Sequence, residues 1–301
     1  MIPLCLVTGF LGSGKTTWLA RLARQYAARG GPPVAFLINE FAGTDADTPQ
    51  IAPLAEITLG VSGGSIFCRC KVSEFLDQLG RLPERHPHLG GVVIEASGMA
   101  DPGAARVMLD ESGLDRVYAW RGCVALADPG SLLKVLDTLV AAERQIACAD
   151  VVLLNKCDLY GEERLAAAEA AIRTINPTVG IRRTVQAVCD LDPLVLASDR
   201  WMDGALTLCA DPQVVAVEAA LGPDSDPAAI AAGLAALGDG LLRAKGFIPP
   251  PQGWMAVDWA GGQLHWRAGI SGPARLIILV RPGSVAAAQA LARNLEQTHA
   301  F

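Results

Sequence analysis

Nine residues near the start of the chain, Gly9-Phe10-Leu11-Gly12-Ser13-Gly14-Lys15-Thr16-Thr17, have the types and spacing of a loop that grips phosphate. Gly9, Gly12 and Gly14 let backbone N–H groups curl around phosphate oxygens, and the amides of Ser13 and Thr17 extend the same cradle. Lys15 reaches the β and γ phosphates of a nucleoside triphosphate, and the Thr16 hydroxyl is placed to ligate magnesium. Farther on, the apolar run from Gly91 ends in Glu95 and then Gly98. A carboxylate at such a strand tip can hold the metal, Glu95 with Thr16, while the Gly98 amide can sense the γ-phosphate. Lys15, Glu95 and Gly98 are therefore the candidate catalytic groups. Asn155-Lys156-Cys157-Asp158 closes a third apolar run, Val151 to Leu154. This spacing suits guanine: the Asp158 carboxylate accepts from the ring N1–H and the exocyclic amine, and Asn155 and Lys156 support loop and ring. Adenine lacks that donor pair, and a site built on such partners can reject it by roughly 10⁴-fold. Asn39-Glu40-Phe41 and the polar stretch Gly43 to Thr48 lie where a nucleotide switch places a loop that contacts magnesium and the γ-phosphate. Asn39 and Glu40 join the nucleotide-binding candidates.

Groups so far apart in sequence need a scaffold that returns repeatedly to one edge. Short apolar runs at Leu4–Thr8, Val34–Ile38, Val92–Ala96, Cys123–Ala127 and Val151–Leu154 alternate with helical patterns, which is the signature of βαβ units. A further unit is expected as helix Glu162–Ile175 and strand Gly180–Val185, followed by a connecting segment from Asp190 to Trp201. The expected fold is an α/β P-loop NTPase, a mostly parallel sheet with helices on both faces, over residues 1–200. From about Leu206 the pattern changes to strands at Val214–Glu218, Met255–Trp259, Leu264–Arg267 and Leu276–Val280, with helices Pro227–Leu237 and Ser284–Leu295. Residues 206–301 are expected to form a smaller α+β domain.

The chain has 301 residues, half of them apolar, which is enough for a sizeable core. Its formal charge of −6, without a basic run, argues against nucleic acid as a partner. Apolar stretches such as Ala228–Leu237 are too short and Gly-interrupted to span a bilayer, and no signal-peptide pattern opens the sequence. Neither a membrane nor export is expected, and cytoplasm is the default. Eight cysteines lie mostly singly in apolar runs, a scatter that suits reduced core residues.

Taken together, GFLGSGKTT at Gly9–Thr17, INEF at Ile38–Phe41, VVIEASGMADP at Val92–Pro102, VALAD at Val124–Asp128, LLNKCDL at Leu153–Leu159, Asn176-Pro177 and LLRAKGFI at Leu241–Ile248 resemble the CobW-type GTPases. These belong to the SIMIBI class of P-loop proteins and are kin to the nickel-insertion GTPases HypB and UreG. The resemblance implies slow GTP hydrolysis coupled to delivery of a metal, often zinc or cobalt, or to maturation of a metalloenzyme or corrinoid-dependent client. It also suggests a homodimer closed by nucleotide. The sequence departs from the family's pattern where a G-C-x-C-C motif usually supplies thiolates: Gly64-Ser65-Ile66-Phe67-Cys68 keeps only the last cysteine, and Cys70 follows. On an extended strand Cys68 and Cys70 share one face and could hold a soft ion, with Arg69 and Lys71 favouring thiolate and Glu40, a histidine, a partner subunit or water completing the shell. The alternative is that one thiol packs in the core and the other is incidental. Two other functions compete with the metal carrier: a regulatory GTPase that remodels its client without a metal, and a P-loop kinase, against which N-K-x-D counts.

Overall fold

The structure, a computed structural model, describes residues 1–40, 51–62, 72–98, 100–198, 215–249, 253–260, 263–269 and 274–297. The chain divides into two compact units, Met1–Cys209 and Ala210–Phe301.

Strands β1 (Ile2–Thr8), β2 (Val34–Glu40), β3 (Ile57–Ser62), β4 (Gly91–Glu95), β5 (Tyr118–Ala127), β6 (Val151–Leu154) and β7 (Gly180–Arg183) build the first unit. They form one seven-stranded sheet in the order β3-β2-β4-β1-β5-β6-β7. Every pairing in it is parallel, more uniform than the mostly parallel sheet expected. The chain leaves β1 in one direction, for β2 and β3, returns through β4 and only then crosses to β5. β1 is thus flanked by β4 and β5, a topological switch point, and open α/β sheets bind ligands in the crevice outside the strand ends at such a point. Thr8, Glu95, Ala127 and Leu154 end their strands on that edge, so the phosphate loop, the Glu95 tip and the Asn155 loop converge by topology alone.

The helices are α1 (Lys15–Arg29), α2 (Val72–Arg85), α3 (Ala104–Glu111), α4 (Leu132–Leu136), α5 (Val140–Ala147) and α6 (Glu162–Ile175). A strand sends successive side chains to opposite faces, and both faces here are covered. Leu4 and Leu6 pack with Phe75, Leu79 and Leu82 of α2 and with Met108 of α3. Cys5 and Val7 pack instead with Trp18, Leu19, Leu22 and Ala23 of α1. Each such side chain contributes roughly 1.5–3 kcal/mol on burial, which explains why these strands read as unbroken apolar runs. Gly30, at φ 65°, ends α1.

Three strands of this unit differ from expectation, of which β7 merely stops at Arg183, short of Val185. β5 begins at Tyr118 and not Cys123, because its pairing with β1 shifts between Leu4 and Cys5: Leu4 faces Trp120 while Cys5 faces Gly122. The bulge takes up Arg121, the charged residue that breaks the apolar run. β3 was not anticipated; it pairs with β2 from Ala35–Ile57 to Glu40–Ser62.

The second unit contains β8 (Val215–Ala220), α7 (Pro227–Ala236), β9 (Leu241–Ile248), β10 (Met255–Ala260), β11 (Gln263–Ala268), β12 (Arg275–Val280) and α8 (Val285–Gln297). Its antiparallel five-stranded sheet has the order β11-β10-β9-β12-β8. Val217, Ala219, Leu276 and Ile278 meet Ile230 and Leu234 of α7 and Ala288, Ala292 and Leu295 of α8. Asp226 starts α7 by accepting from the Ala228 N–H at 2.8 Å, with Pro227 in the first turn where its missing N–H costs nothing. Among the described residues no helix is long and apolar enough to cross a membrane.

Candidate nucleotide-binding site

The phosphate loop is shaped by backbone conformations that only glycine adopts without strain. Gly9 (φ 134°) and Gly14 (φ 106°) are the tightest: a Cβ would lie 2.3 Å from the Leu126 carbonyl oxygen at the first and 2.4 Å from Asn155 Nδ2 at the second. Gly12 also has positive φ, at 81°. Gly14 caps α1, whose first turn carries no acid, so the positive end of the helix dipole faces the crevice unopposed. Thr16 and Thr17 are half-buried at that end. The buried hydroxyls of Ser13 and Thr8 have no hydrogen-bond partner among the described residues. Orphaned hydroxyls beside a helix N-terminus suit phosphate oxygens.

Lys15 is 6 % exposed and donates through Nζ to the Gly9 carbonyl at 2.8 Å. The same ammonium lies 3.9 Å from Oε1 of Glu95, which is 3 % exposed. Desolvating two charges costs several kcal/mol per ion, and their attraction alone rarely returns it. Such a pair at a strand edge marks a site where a charged ligand completes the compensation. Thr16 and Glu95 offer oxygen donors only, a set that fits magnesium and not a soft ion. At the neighbouring strand tip, Asn39 Oδ1 accepts from the Ser97 N–H at 3.3 Å, tying β2 to the segment after β4. Asn39 is therefore turned toward the chain that leads to Gly98.

The Asn155 loop is bolted to the phosphate loop. Asn155, 2 % exposed, donates from Nδ2 to the Ser13 carbonyl at 2.9 Å. Its Oδ1 accepts from the Ala187 N–H at 2.7 Å and the Thr184 hydroxyl at 3.2 Å. Lys156, at φ 61°, donates to Asp128 Oδ2 at 2.7 Å. Asp128 Oδ1 accepts in turn from the Gly130 N–H at 2.8 Å. Tyr160 also bonds to Asp128, and burial first, then that carboxylate, pushes the phenol up to about 12. Asp158 stands exposed in the short 3₁₀ turn Cys157–Leu159, open to a base. Cys157 has a structural place: its thiol donates to the Leu154 carbonyl at 3.1 Å, and burial raises its pKa.

Asp128 and the Thr184–Ala187 turn are parts of this site whose roles the sequence did not disclose. Asp128 carried the same signal as Glu95, an acid closing an apolar run. The turn carried none, since its unusual backbone at Gln186 (φ 50°) and Ala187 (φ 57°) uses residues without left-handed preference. Cys68 and Cys70, the side chain of Glu40 and the stretch Gly43 to Thr48 lie outside the described residues. Among those described, no group of three or more His, Cys, Asp or Glu could hold a metal ion.

A phosphate loop at the switch point of a parallel sheet, with a carboxylate on the next strand tip and an N-K-x-D loop bolted alongside, defines a P-loop nucleotide-binding protein. Residues 3–182 match the family described as CobW/HypB/UreG, nucleotide-binding domain, and the chain belongs to that family. The zinc chaperone YjiA of Escherichia coli (strain K12) is 32 % identical over 188 residues, covering 60 % of this chain and 58 % of that protein. Zinc-regulated GTPase metalloprotein activator 1 of Dictyostelium discoideum is 25 % identical over 232 residues, 64 % of this chain and 48 % of the relative. The chain thus spans about half the length of the curated relatives it matches. A crystal structure of a zinc-bound triple mutant of the YjiA GTPase matches 98 % of this chain and 99 % of its own, with a TM-score of 0.50 at 20 % identity, a likeness of fold.

Proposed function

We propose that this protein binds GTP with magnesium, hydrolyses it slowly, and couples its nucleotide state to delivery of a metal or to maturation of a metalloenzyme or corrinoid-dependent client. The observation that carries the nucleotide half is the Asn155 side chain on the Ser13 carbonyl, which sets a guanine-reading loop directly beside a phosphate loop. In this reading residues 1–200 are the GTPase domain and 206–301 the C-terminal domain. The amides from Gly9 through Gly12, Ser13, Gly14 and Thr17 wrap the phosphates, and Asp158 accepts from guanine. Lys15 leaves the Gly9 carbonyl for the β and γ phosphates, where its charge stabilises the oxygens that gain charge as the γ-phosphoryl departs. Thr16 and Glu95 hold magnesium, which when bound neutralises charge on the β and γ oxygens. The Gly98 amide reports the γ-phosphate, and Asn39 and Glu40 contact the nucleotide from the switch side.

The relatives' names, zinc chaperone and zinc-regulated GTPase metalloprotein activator, support zinc as cargo, with cobalt the second choice. Cys68, Cys70 and Glu40 are the ligands this reading assigns. A nucleotide-dependent homodimer, a client protein and a cytoplasmic setting complete it. A second reading, regulation without a metal, is favoured by the loss of two positions from the G-C-x-C-C pattern at Gly64–Cys68. The double variant Cys68→Ser, Cys70→Ser separates the two: zinc bound as tightly as by the parent removes the carrier's site.

For the nucleotide half the test is phosphate release from GTP by the purified chain and by Lys15→Ala. Hydrolysis should fall at least a hundredfold in the variant, as expected for loss of a main charge on the transferring group. An unchanged rate dismisses the assigned site, and a phosphorylated small-molecule acceptor in place of free phosphate turns the protein into a kinase.

A further inference from the structure

Gln145 on α5 is 1 % exposed, a polar side chain in a position an apolar one would fill at less cost. Both hydrogens of its amide are engaged. Nε2 donates to the Gly98 carbonyl at 3.1 Å and to the Ala100 carbonyl at 3.2 Å. The preceding residue, Arg144, donates from Nε to Asp101 Oδ2 at 3.1 Å, and Asp101 Oδ1 accepts from the Gly103 N–H at 2.8 Å. Two consecutive residues of one helix therefore hold the turn after Glu95 at both ends. From its other side the turn rests on the phosphate loop: a Cβ on Gly98 would lie 2.5 Å from Leu11 Cδ2 and 3.0 Å from the Leu11 nitrogen. α5 is itself a firm base, since Ala142 and Ile146 are buried.

We propose that Gln145 is a positioning residue for γ-phosphate recognition. Donating twice into the turn, the side chain fixes the carbonyls of Gly98 and Ala100 and, through the backbone that carries them, the direction of the Gly98 amide. It thereby sets how strongly the protein prefers GTP to GDP, since only the triphosphate has a group for that amide to meet. Arg144 supports the same geometry from the Asp101 end. The inference rests on the GTP reading of the site.

Gln145→Met keeps the length and volume of the side chain and removes both donors. Calorimetry on the full chain with magnesium, using a non-hydrolysable GTP analogue and GDP in parallel, reads the effect. Losing two neutral hydrogen bonds should lower the affinity for the analogue about tenfold relative to GDP. Arg144→Gln acts from a half-exposed position and should shift the same ratio in the same direction by a smaller factor, which keeps the test open should Gln145→Met fail to fold. An unchanged or increased preference for the analogue overturns the inference. Equal loss of both nucleotides overturns it too, because that is what a merely structural residue would do. A parent that binds neither nucleotide fails earlier, at the reading of the site itself.

Discussion

Replacing Asn155 by alanine should separate base recognition from phosphate recognition. The side chain is 2 % exposed and makes three hydrogen bonds, to the Ser13 carbonyl, the Ala187 N–H and the Thr184 hydroxyl. At about 1 kcal/mol net for each, the truncation should cost about 3 kcal/mol. For a unit of this size 1 kcal/mol moves the melting temperature by roughly 2–4 °C, so thermal unfolding followed by circular dichroism should fall by about 6–12 °C. The freed loop no longer holds Asp158 at a fixed distance from the phosphates. Calorimetry with GDP and ADP should therefore show the preference for guanine shrinking while phosphate-dependent binding persists. Gly14→Ala attacks the same contact from the opposite side, since its Cβ would lie 2.4 Å from Asn155 Nδ2 at a backbone φ of 106°, and should reproduce the loss. A variant Asn155→Ala that melts within about 2 °C of the parent and still prefers guanine would refute the idea that this side chain joins the two loops.

Two further outcomes test the electrostatics. Hydrogen bonds from the Arg183 guanidinium first hold the Glu162 and Glu169 carboxyls below the ordinary glutamate value. A lowered folded-state pKa adds stability that is present above the ordinary value and lost as pH falls through the lowered one. NMR titration of Arg183→Ala should show both carboxyls rising toward the ordinary value, Glu169 less completely because Arg173 still donates to it at 3.1 Å, together with a shallower loss of stability in acid. Among the described cysteines, burial raises the Cys5 and Cys123 thiols strongly and Cys157 less. Peptide mapping after alkylation at neutral pH should accordingly label Cys157 before Cys5 and Cys123, which react only on unfolding.

The parts of this fold that could be read from the residues are those where burial on both faces leaves a continuous apolar run, as in β1, β2, β4 and β6. β3 escaped because Gly60 and Thr58 interrupt its pattern, Ile57-Thr58-Leu59-Gly60, at the edge of the sheet. β9 was met only as a family likeness, since Arg243, Lys245 and Gly246 break its apolar character. Its Arg243 reaches Asp258 on the paired strand at 3.3 Å, a partner that local pattern cannot name. The site divides in the same way. Lys15, Glu95 and the Asn155 loop announce themselves by type and spacing next to a strand end. Gln145 sits inside an amphipathic helix, and its partners at Gly98 and Ala100 are more than forty residues away. Nothing in its neighbourhood distinguishes it from a surface glutamine.

The two ends of the nucleotide site are held in physically different ways. At the base end, the helix that begins under the phosphate loop grips the segment after β7 in three places. Arg21 donates to the Gln186 carbonyl at 2.8 Å, Tyr26 to Asp192 Oδ1 at 2.6 Å, and Arg29 to Asp192 Oδ2 at 2.8 Å. Gln186 and Ala187 persist in the left-handed region because these bonds and Asn155 over-determine them. Phosphate loop, α1, Asn155 and the Thr184–Ala187 turn thus form a closed frame, with each member bonded to the next. Around Gly98, the proposed γ-phosphate contact, the bonds among the described residues close no such frame. Among the described residues the turn at Gly98 rests against Leu11, is held by Arg144 and Gln145 of a single eight-residue helix, and is tied to Asn39 through the Ser97 N–H. On the proposed GTP reading, a closed frame at the base end beside a turn held by a few bonds of modest strength would let hydrolysis alter one side of the site without releasing the other. That asymmetry is what a nucleotide switch requires, because a ligand shifts a conformational equilibrium only by its differential interaction with the two states.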